Sequence, residues 1–162
     1  MSPAPQWRVV PVPFTHPDAT LLIEEVQQEY VARYGDRDDT PLQASYFEPP
    51  LGAFYVGYLG TEPVATGAWR IRTDVTLDGR SPTAEVKRMY VVPRMQRRGL
   101  AQLMLAHLEE TARSAGAAAM ILETGSEQPE AIALYRKCGY QPIPGFGYYR
   151  DSPKSRSFGK PL

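Results

Sequence analysis

The tightest constraint on this chain is the run Gln96-Arg97-Arg98-Gly99-Leu100-Ala101. An apolar run precedes it, Val86-Lys87-Arg88-Met89-Tyr90-Val91-Val92-Pro93. After it, residues 100, 103, 104, 108 and 112 are apolar, which is helix spacing through about Ala115. The pattern predicts a strand, a tight basic turn bearing glycine, and a helix N-terminus. Such a turn aims backbone N–H groups and the positive end of a helix dipole at one point. It is a site for an anion, most naturally a phosphate.

Outward from the turn, the segments alternate. Trp7 to Val12 reads as a short strand, with Pro11 placing it toward an edge. Asp18 caps a helix running to about Tyr34, with Leu21, Leu22, Val26 and Val31 as its apolar face and Gly35 as its stop. Residues 36–50 are polar and proline-broken, with room for a short helix around 42–47. Residues 53–59 and 64–72 form a hairpin about Gly60-Thr61-Glu62-Pro63, and residues 73–83 hold a second turn at Asp78-Gly79. A strand at 84–92 leads into the basic turn. The helix at 100–115 ends at Gly116, and residues 117–123 make a strand. Strand, helix, strand implies a parallel pair with a right-handed crossover. Pro129 to Lys137 is a second short helix with proline in its first turn, and residues 157–160 close the chain as a strand. The expected fold is a mixed α/β domain spanning residues 1–162, with residues 1–6 as a loose tail.

Composition narrows the function classes. Lys+Arg and Asp+Glu both number 18, so no global charge draws the chain to nucleic acid or to an acidic membrane. Arg94, Arg97 and Arg98 make only a local basic patch. One cysteine, Cys138, rules out an intrachain disulfide framework, and His16 and His107 lie too far apart in sequence to suggest zinc. No metal is expected. The first residues lack a charged region followed by an apolar core, so no signal peptide is expected. No apolar run is long enough to span a bilayer. A soluble cytoplasmic protein follows by default.

The pattern Gln96-x-x-Gly99-x-Ala101, after a strand ending in Val91-x-Pro93, resembles the signature of the GNAT superfamily of acyl-CoA N-acyltransferases. A second stretch is similar to the segment following that family's fifth strand: Leu122-Glu123-Thr124-Gly125, then Gln128 through Tyr135, then Gly139-Tyr140. The resemblance covers about residues 50–160 by motif and the N-terminal third by element order. It implies a centrally splayed sheet of six to seven strands flanked by helices. It also implies acetyl-CoA as co-substrate. By resemblance, the backbone amides of Arg97, Arg98, Gly99, Leu100, Ala101 and Gln102 hold the pyrophosphate. Met89, Tyr90 and Val91 pair with the pantetheine arm, and Gln128 contacts the cofactor. Ala101 stands where many relatives carry glycine.

Acetyl transfer to an amine requires an ammonium to lose its proton, an oxyanion to be stabilised, and a thiolate to be protonated. An acyl-CoA donor makes an enzyme nucleophile unnecessary, so Cys138 is read as a packing residue. For the base the sequence offers two glutamates. Glu85 matches the base of the histone-acetylating branch; strand alternation sets it with Lys87 and Met89, opposite Val86, Arg88 and Tyr90. It also reads as a strand charge paired with Lys87 or a nearby arginine. Glu123 matches the base of the ribosomal-protein N-terminal acetylating branch, at a strand end where burial raises a carboxyl's pKa. It reads equally as a cap on the amides of Thr124 and Gly125. Tyr135 matches the tyrosine that many relatives use to protonate the leaving thiolate; the other reading is a core aromatic.

Arg70, Arg72, Lys87 and Arg88 are candidates for a cationic acceptor site, although alternation splits Lys87 from Arg88. Tyrosines 46, 55, 58, 140, 148 and 149 are candidate pocket walls, most of them better read as core or sheet-face residues. His16 and His107 are expected at the surface or satisfied. The function expected is acetylation of a primary amine of a small molecule, an amino acid, an amine or an antibiotic-like compound, by direct attack in a ternary complex. Protein or peptide acetylation and a non-catalytic acyl-CoA-binding module are the alternatives, and edge strands leave a homodimer open.

Overall fold

Period-two and helical segments alternate as β1 (Trp7–Pro11), α1 (Pro17–Tyr34), β2 (Gly52–Leu59), β3 (Glu62–Arg72), β4 (Thr83–Val91), α2 (Leu100–Ser114), β5 (Ala119–Gly125), α3 (Pro129–Lys137), β6 (Gln141–Pro142) and β7 (Ser155–Pro161). These come from a computed structural model, which describes residues 4–38 and 43–162. Part of the expected tail, residues 1–3, therefore lies outside the described residues, as does Leu42 of the short helix expected around 42–47. That helix is a single 3-10 turn at Ala44–Phe47.

The seven strands form one sheet in the order β1-β2-β3-β4-β5-β7-β6. Strands β1 to β4 pair antiparallel in sequence order. The β4–β5 pair is parallel and spans only Thr83↔Ala119, Ala84↔Met120 and Glu85↔Ile121. Beyond it the two strands run on without pairing, so the sheet opens between them. β7 then inserts antiparallel between β5 and the two-residue β6. Two residues carry too little alternation to read from sequence, and β6 was not expected. No helix among the described residues is long and apolar enough to cross a membrane.

α2 packs on one face of the sheet. The Trp69 indole N–H donates to Thr111 Oγ1 at 3.0 Å. A Cβ at Gly67 would lie 2.8 Å from Met104 Cγ, so the missing side chain lets helix and strand meet. The buried face of α2 is Leu100, Met104, Leu105, Leu108 and Ala112. Leu103, expected inside, is largely exposed, and Leu105 takes the core position. The opposite face of the sheet carries α1. His16, not Asp18, caps α1, its Nδ1 accepting from the Asp18 N–H at 3.1 Å. The Asp18 carboxylate instead accepts from the Tyr58 hydroxyl at 2.5 Å. Gly35 ends α1 at φ 80°, as expected. The face buried is Ala19, Leu22 and Val26, each large side chain contributing about 1.5–3 kcal/mol. Leu21 and Val31 point outward.

Candidate active site

The opening of the sheet is sharpened by a bulge. Thr66 pairs with Tyr90 and Ala68 with Lys87, so β4 spends one more residue than β3 over this stretch. Arg88 carries the strain at φ 54°, a left-handed conformation rare for a side-chain-bearing residue. Its carbonyl accepts the Thr66 hydroxyl at 2.6 Å. From Val86 to Val91, β4 has no partner on the β5 side. Its polar backbone edge there is open for an extended chain to pair with.

The bulge also corrects the alternation. Val86 pairs with Trp69 and so belongs to the α2 face. Glu85 and Lys87 take the α1 face. Past the extra residue the parity reverses. The Arg88 guanidinium meets Asp38 at 2.9 Å just after α1, and the Tyr90 hydroxyl lies 3.5 Å from Glu25 on α1. Lys87, Arg88 and Tyr90 therefore share a side, against the expected split. Asp38 is itself held by the buried Gln27, whose side chain accepts the Asp38 N–H at 2.9 Å and reaches its carbonyl at 3.4 Å.

At the end of β4 the chain turns through Pro93–Met95 into α2. The Gln96 amide donates to the Val91 carbonyl at 2.9 Å and closes the turn. Arg97 and Gly99 both adopt positive φ, 65° and 80°. Gly99 is the helix N-cap, and its carbonyl accepts the first helical bond, from the Leu103 N–H at 3.1 Å. No side chain caps this end. The N–H groups of Leu100, Ala101 and Gln102 precede that first bond and lack helical partners. Arg97, Arg98 and Gly99 are exposed, while Arg94 pairs with Glu62. The result is an uncapped, basic, anion-ready helix start at the mouth of the opened sheet.

On the α1 side lies a cleft of ≈ 300 Å³. Tyr30 and Tyr34 of α1, Lys87 of β4, Glu123 to Gly125 of β5, Gln128, and Tyr149 with Lys154 before β7 line it. Glu123 is its most unusual group. One carboxylate oxygen accepts the Tyr149 N–H at 3.3 Å, and the other is buried without a hydrogen bond. Burial raises the Glu123 pKa above its ordinary value, partly opposed by the Tyr149 amide, the positive charge of Lys87 and the Ser155 hydroxyl. The Ser155 hydroxyl lies beside the carboxylate and lowers its pKa as a donor would. A Cβ at Gly147 would sit 2.5 Å from Glu123 Oε2, so only glycine lets the carboxyl lie against that backbone. Likewise a Cβ at Gly125 would fall 1.7 Å from the Tyr34 hydroxyl. That hydroxyl accepts the Glu127 N–H at 3.2 Å and lies 3.4 Å from Gln128 Oε1.

Glu85 has a different setting. It is 3% exposed, and its Oε1 accepts from Arg70 at 3.1 Å and Arg72 at 2.9 Å. Lys87 stands 3.7 Å from the other oxygen. The strand-end arginines thus turn inward onto a carboxylate instead of toward water. Tyr135 is buried on α3, its ring against Tyr140 at 5.7 Å and Phe158 at 6.5 Å. Burial raises its pKa, and the ionisations of Tyr30 and Cys138 would oppose its own. Cys138 is half-buried against the core, in keeping with a packing role. His107 departs from expectation. Its ring packs edge-on against Tyr55 at 4.6 Å, and its Nε2 is buried without a hydrogen bond.

Of the tyrosines expected as pocket walls only Tyr149 lines the cleft; Tyr55, Tyr58 and Tyr140 are core. The aromatic walls that were missed, Tyr30 and Tyr34, lie on α1. The signal was there: i and i+4 aromatics share a helix face. What the sequence lacks is the direction in which that face points.

Comparison with known proteins bears on the same features. A family model described as Acetyltransferase (GNAT) family matches residues 20–140. An IAA acetyltransferase from Azospirillum brasilense is 33% identical over 141 residues, 87% of this chain and 88% of that protein. A solved structure assigned as an acyl-CoA N-acyltransferase, from Klebsiella pneumoniae subsp. pneumoniae MGH 78578, matches with TM-score 0.74 and 28% identity. That match covers 97% of this chain and 98% of the other. A GNAT family acetyltransferase from Elizabethkingia anophelis with acetyl-CoA bound has TM-score 0.64 and 15% identity, over 96% of this chain and 98% of that one. At that identity the likeness is one of fold.

Proposed function

The chain belongs to the GNAT acetyltransferase family, whose members are acetyl-CoA-dependent N-acyltransferases, and from that premise we propose that it acetylates the primary amine of a small molecule by direct attack within a ternary complex. One observation carries the reading. β4 leaves its edge from Val86 to Val91 unpaired, and that edge leads straight into the uncapped amides of α2. A thioester with an extended amide arm and a pyrophosphate fits both in sequence.

In this reading the amides from Arg97 to Gln102 hold the pyrophosphate, and Gly99 keeps that backbone approachable. Met89, Tyr90 and Val91 pair with the pantetheine arm, and Gln128 makes a further cofactor contact. Backbone N–H groups at the bulge polarise the thioester carbonyl and stabilise the developing oxyanion.

Glu123 takes the proton from the acceptor ammonium. It lines the cleft, and burial raises its pKa, which makes it a stronger base than an exposed carboxylate. The ion pairs around Glu85 favour a second role for that residue, holding β3 and β4 together under the cleft. Tyr135 returns a proton to the departing thiolate. Burial keeps its phenol protonated, and the same dry surroundings make a thiolate more basic.

We read residues 1–162 as one domain, since strands from both ends of the chain join one sheet. Purified protein should bind acetyl-CoA in calorimetry and release free thiol when a reactive amine is added. Failure of both across a broad amine panel overturns the proposal.

A further inference from the structure

Resting on that reading, we propose that the acceptor is a free amino acid, one that carries a carboxylate beside its amine, and neither a simple amine nor a peptide N-terminus. The argument is a charge inventory of the cleft. Arg37 is paired with Glu24 at 2.9 Å, and the Asp36 carboxylate accepts the Arg37 N–H at 2.8 Å. Asp38 is held by Arg88 at 2.9 Å. Arg37 and Asp38 are thus ion-paired within the protein, whereas Asp36 accepts a neutral N–H.

Two further cleft charges also lack an ion pair among the described residues. Glu123 lines the cleft, its carboxylate beside the Tyr149 N–H and the Ser155 hydroxyl and without a cation in ion-pair reach. Lys154 stands at the mouth, its ammonium 5.9 Å from the Tyr34 ring centre. Among the described residues it has no carboxylate partner. Lys87, nearer the floor, is a third cation on Glu85, whose other oxygen already serves two arginines.

The cleft therefore offers the Glu123 carboxylate at one place and a cation without a carboxylate partner at another. An ammonium on the Glu123 carboxylate pairs with its charge and places the amine at the base. A carboxylate on the same ligand answers Lys154. A simple amine meets only the first need. A peptide N-terminus puts a neutral amide where the carboxylate would sit. The tyrosine rings of residues 30, 34 and 149 wall the remaining space of a ≈ 300 Å³ cleft, which suits an aromatic or branched apolar side chain.

Thiol release with two matched series tests this: phenylalanine, phenylalaninamide and phenethylamine, then leucine, leucinamide and isoamylamine. In at least one series kcat/KM for the amino acid should exceed that of both its amide and its decarboxylated amine by at least about tenfold, the worth of one charge-assisted hydrogen bond. Lys154→Met should bring that ratio toward one, mainly through KM, and Lys154→Arg should restore it. Equal or better turnover of the amides or decarboxylated amines overturns the inference, as does a ratio unmoved in Lys154→Met or no thiol release with either series. Calorimetry with acetyl-CoA separates the two failures. A protein that binds acetyl-CoA and acetylates simple amines refutes the amino-acid acceptor and leaves the acetyltransferase reading standing. A protein that neither binds acetyl-CoA nor reacts loses both.

Discussion

Replacing Glu123 by Gln removes a charge and almost nothing else. The Gln carbonyl can still accept the Tyr149 N–H, and the side chain keeps its shape against Gly147. What disappears is the ability to take a proton. A positioned general base contributes roughly 10²–10⁴-fold, so kcat/KM should fall by about 2.7–5.4 kcal/mol of transition-state stabilisation. Stability should move the other way. Burial raises the Glu123 pKa in the folded chain, so the folded state binds this proton more tightly than the unfolded one. Stability from this group is therefore complete at low pH and is lost as pH rises through the window between the ordinary and the raised value. At neutral pH Glu123→Gln should melt no lower than the parent protein, and the parent's advantage should return only on acidification. The assays are thiol release against pH and thermal unfolding against pH. In the parent, kcat/KM should climb as Glu123 deprotonates, above its ordinary value, and the variant should lose that limb. A variant that keeps a third or more of the parent's kcat/KM, or that melts much lower at neutral pH, refutes the reasoning.

Glu85→Gln should invert the pattern. It strands Arg70, Arg72 and Lys87, and losing one partner of such a buried network costs about 3–5 kcal/mol, toward the lower end because the arginines keep some solvent contact. A thermal scan should register this as a fall of roughly 6–20 °C, and an unchanged Tm would return Glu85 to candidacy as the base. Tyr135→Phe should lower kcat by about 10²-fold while calorimetry finds acetyl-CoA affinity nearly unchanged; full turnover would remove its role as the acid. Gly125→Ala drives a methyl to 1.7 Å from the Tyr34 hydroxyl, so that ring must leave the cleft wall. Overpacking of about 1–3 kcal/mol and a raised acceptor KM should follow, and a variant with parental Tm and KM would show that Tyr34 does not shape the site.

The strand, basic turn and helix start were legible because local chain geometry determines them. A strand, a glycine at positive φ and an uncapped helix are consecutive in sequence, so Gln96 to Gln102 predict an anion-ready helix start before any fold is known. Element order was legible for the same reason, through the exact match of α3 and the shared parallel crossover. The cleft is built from α1, β4, β5 and the approach to β7, and depends on long-range register. One residue of bulge at Arg88 was enough to move Arg88 and Tyr90 onto the face of Lys87, because parity along a strand carries no memory of an insertion. Tyr30 and Tyr34 were invisible as cleft walls until α1 was placed on the sheet. The ranking of Glu123 over Glu85 also needed tertiary structure. Both are carboxylates on strands, and only their neighbours distinguish the one paired with arginines from the one that is not.

The most direct test of the account is amine-dependent thiol release from acetyl-CoA by the purified protein, followed against a panel of free amino acids and matched amines. The account predicts one thiol liberated for each amine acetylated, with amino acids ahead of their decarboxylated counterparts. No thiol above the rate without amine, for any member of the panel, would contradict it.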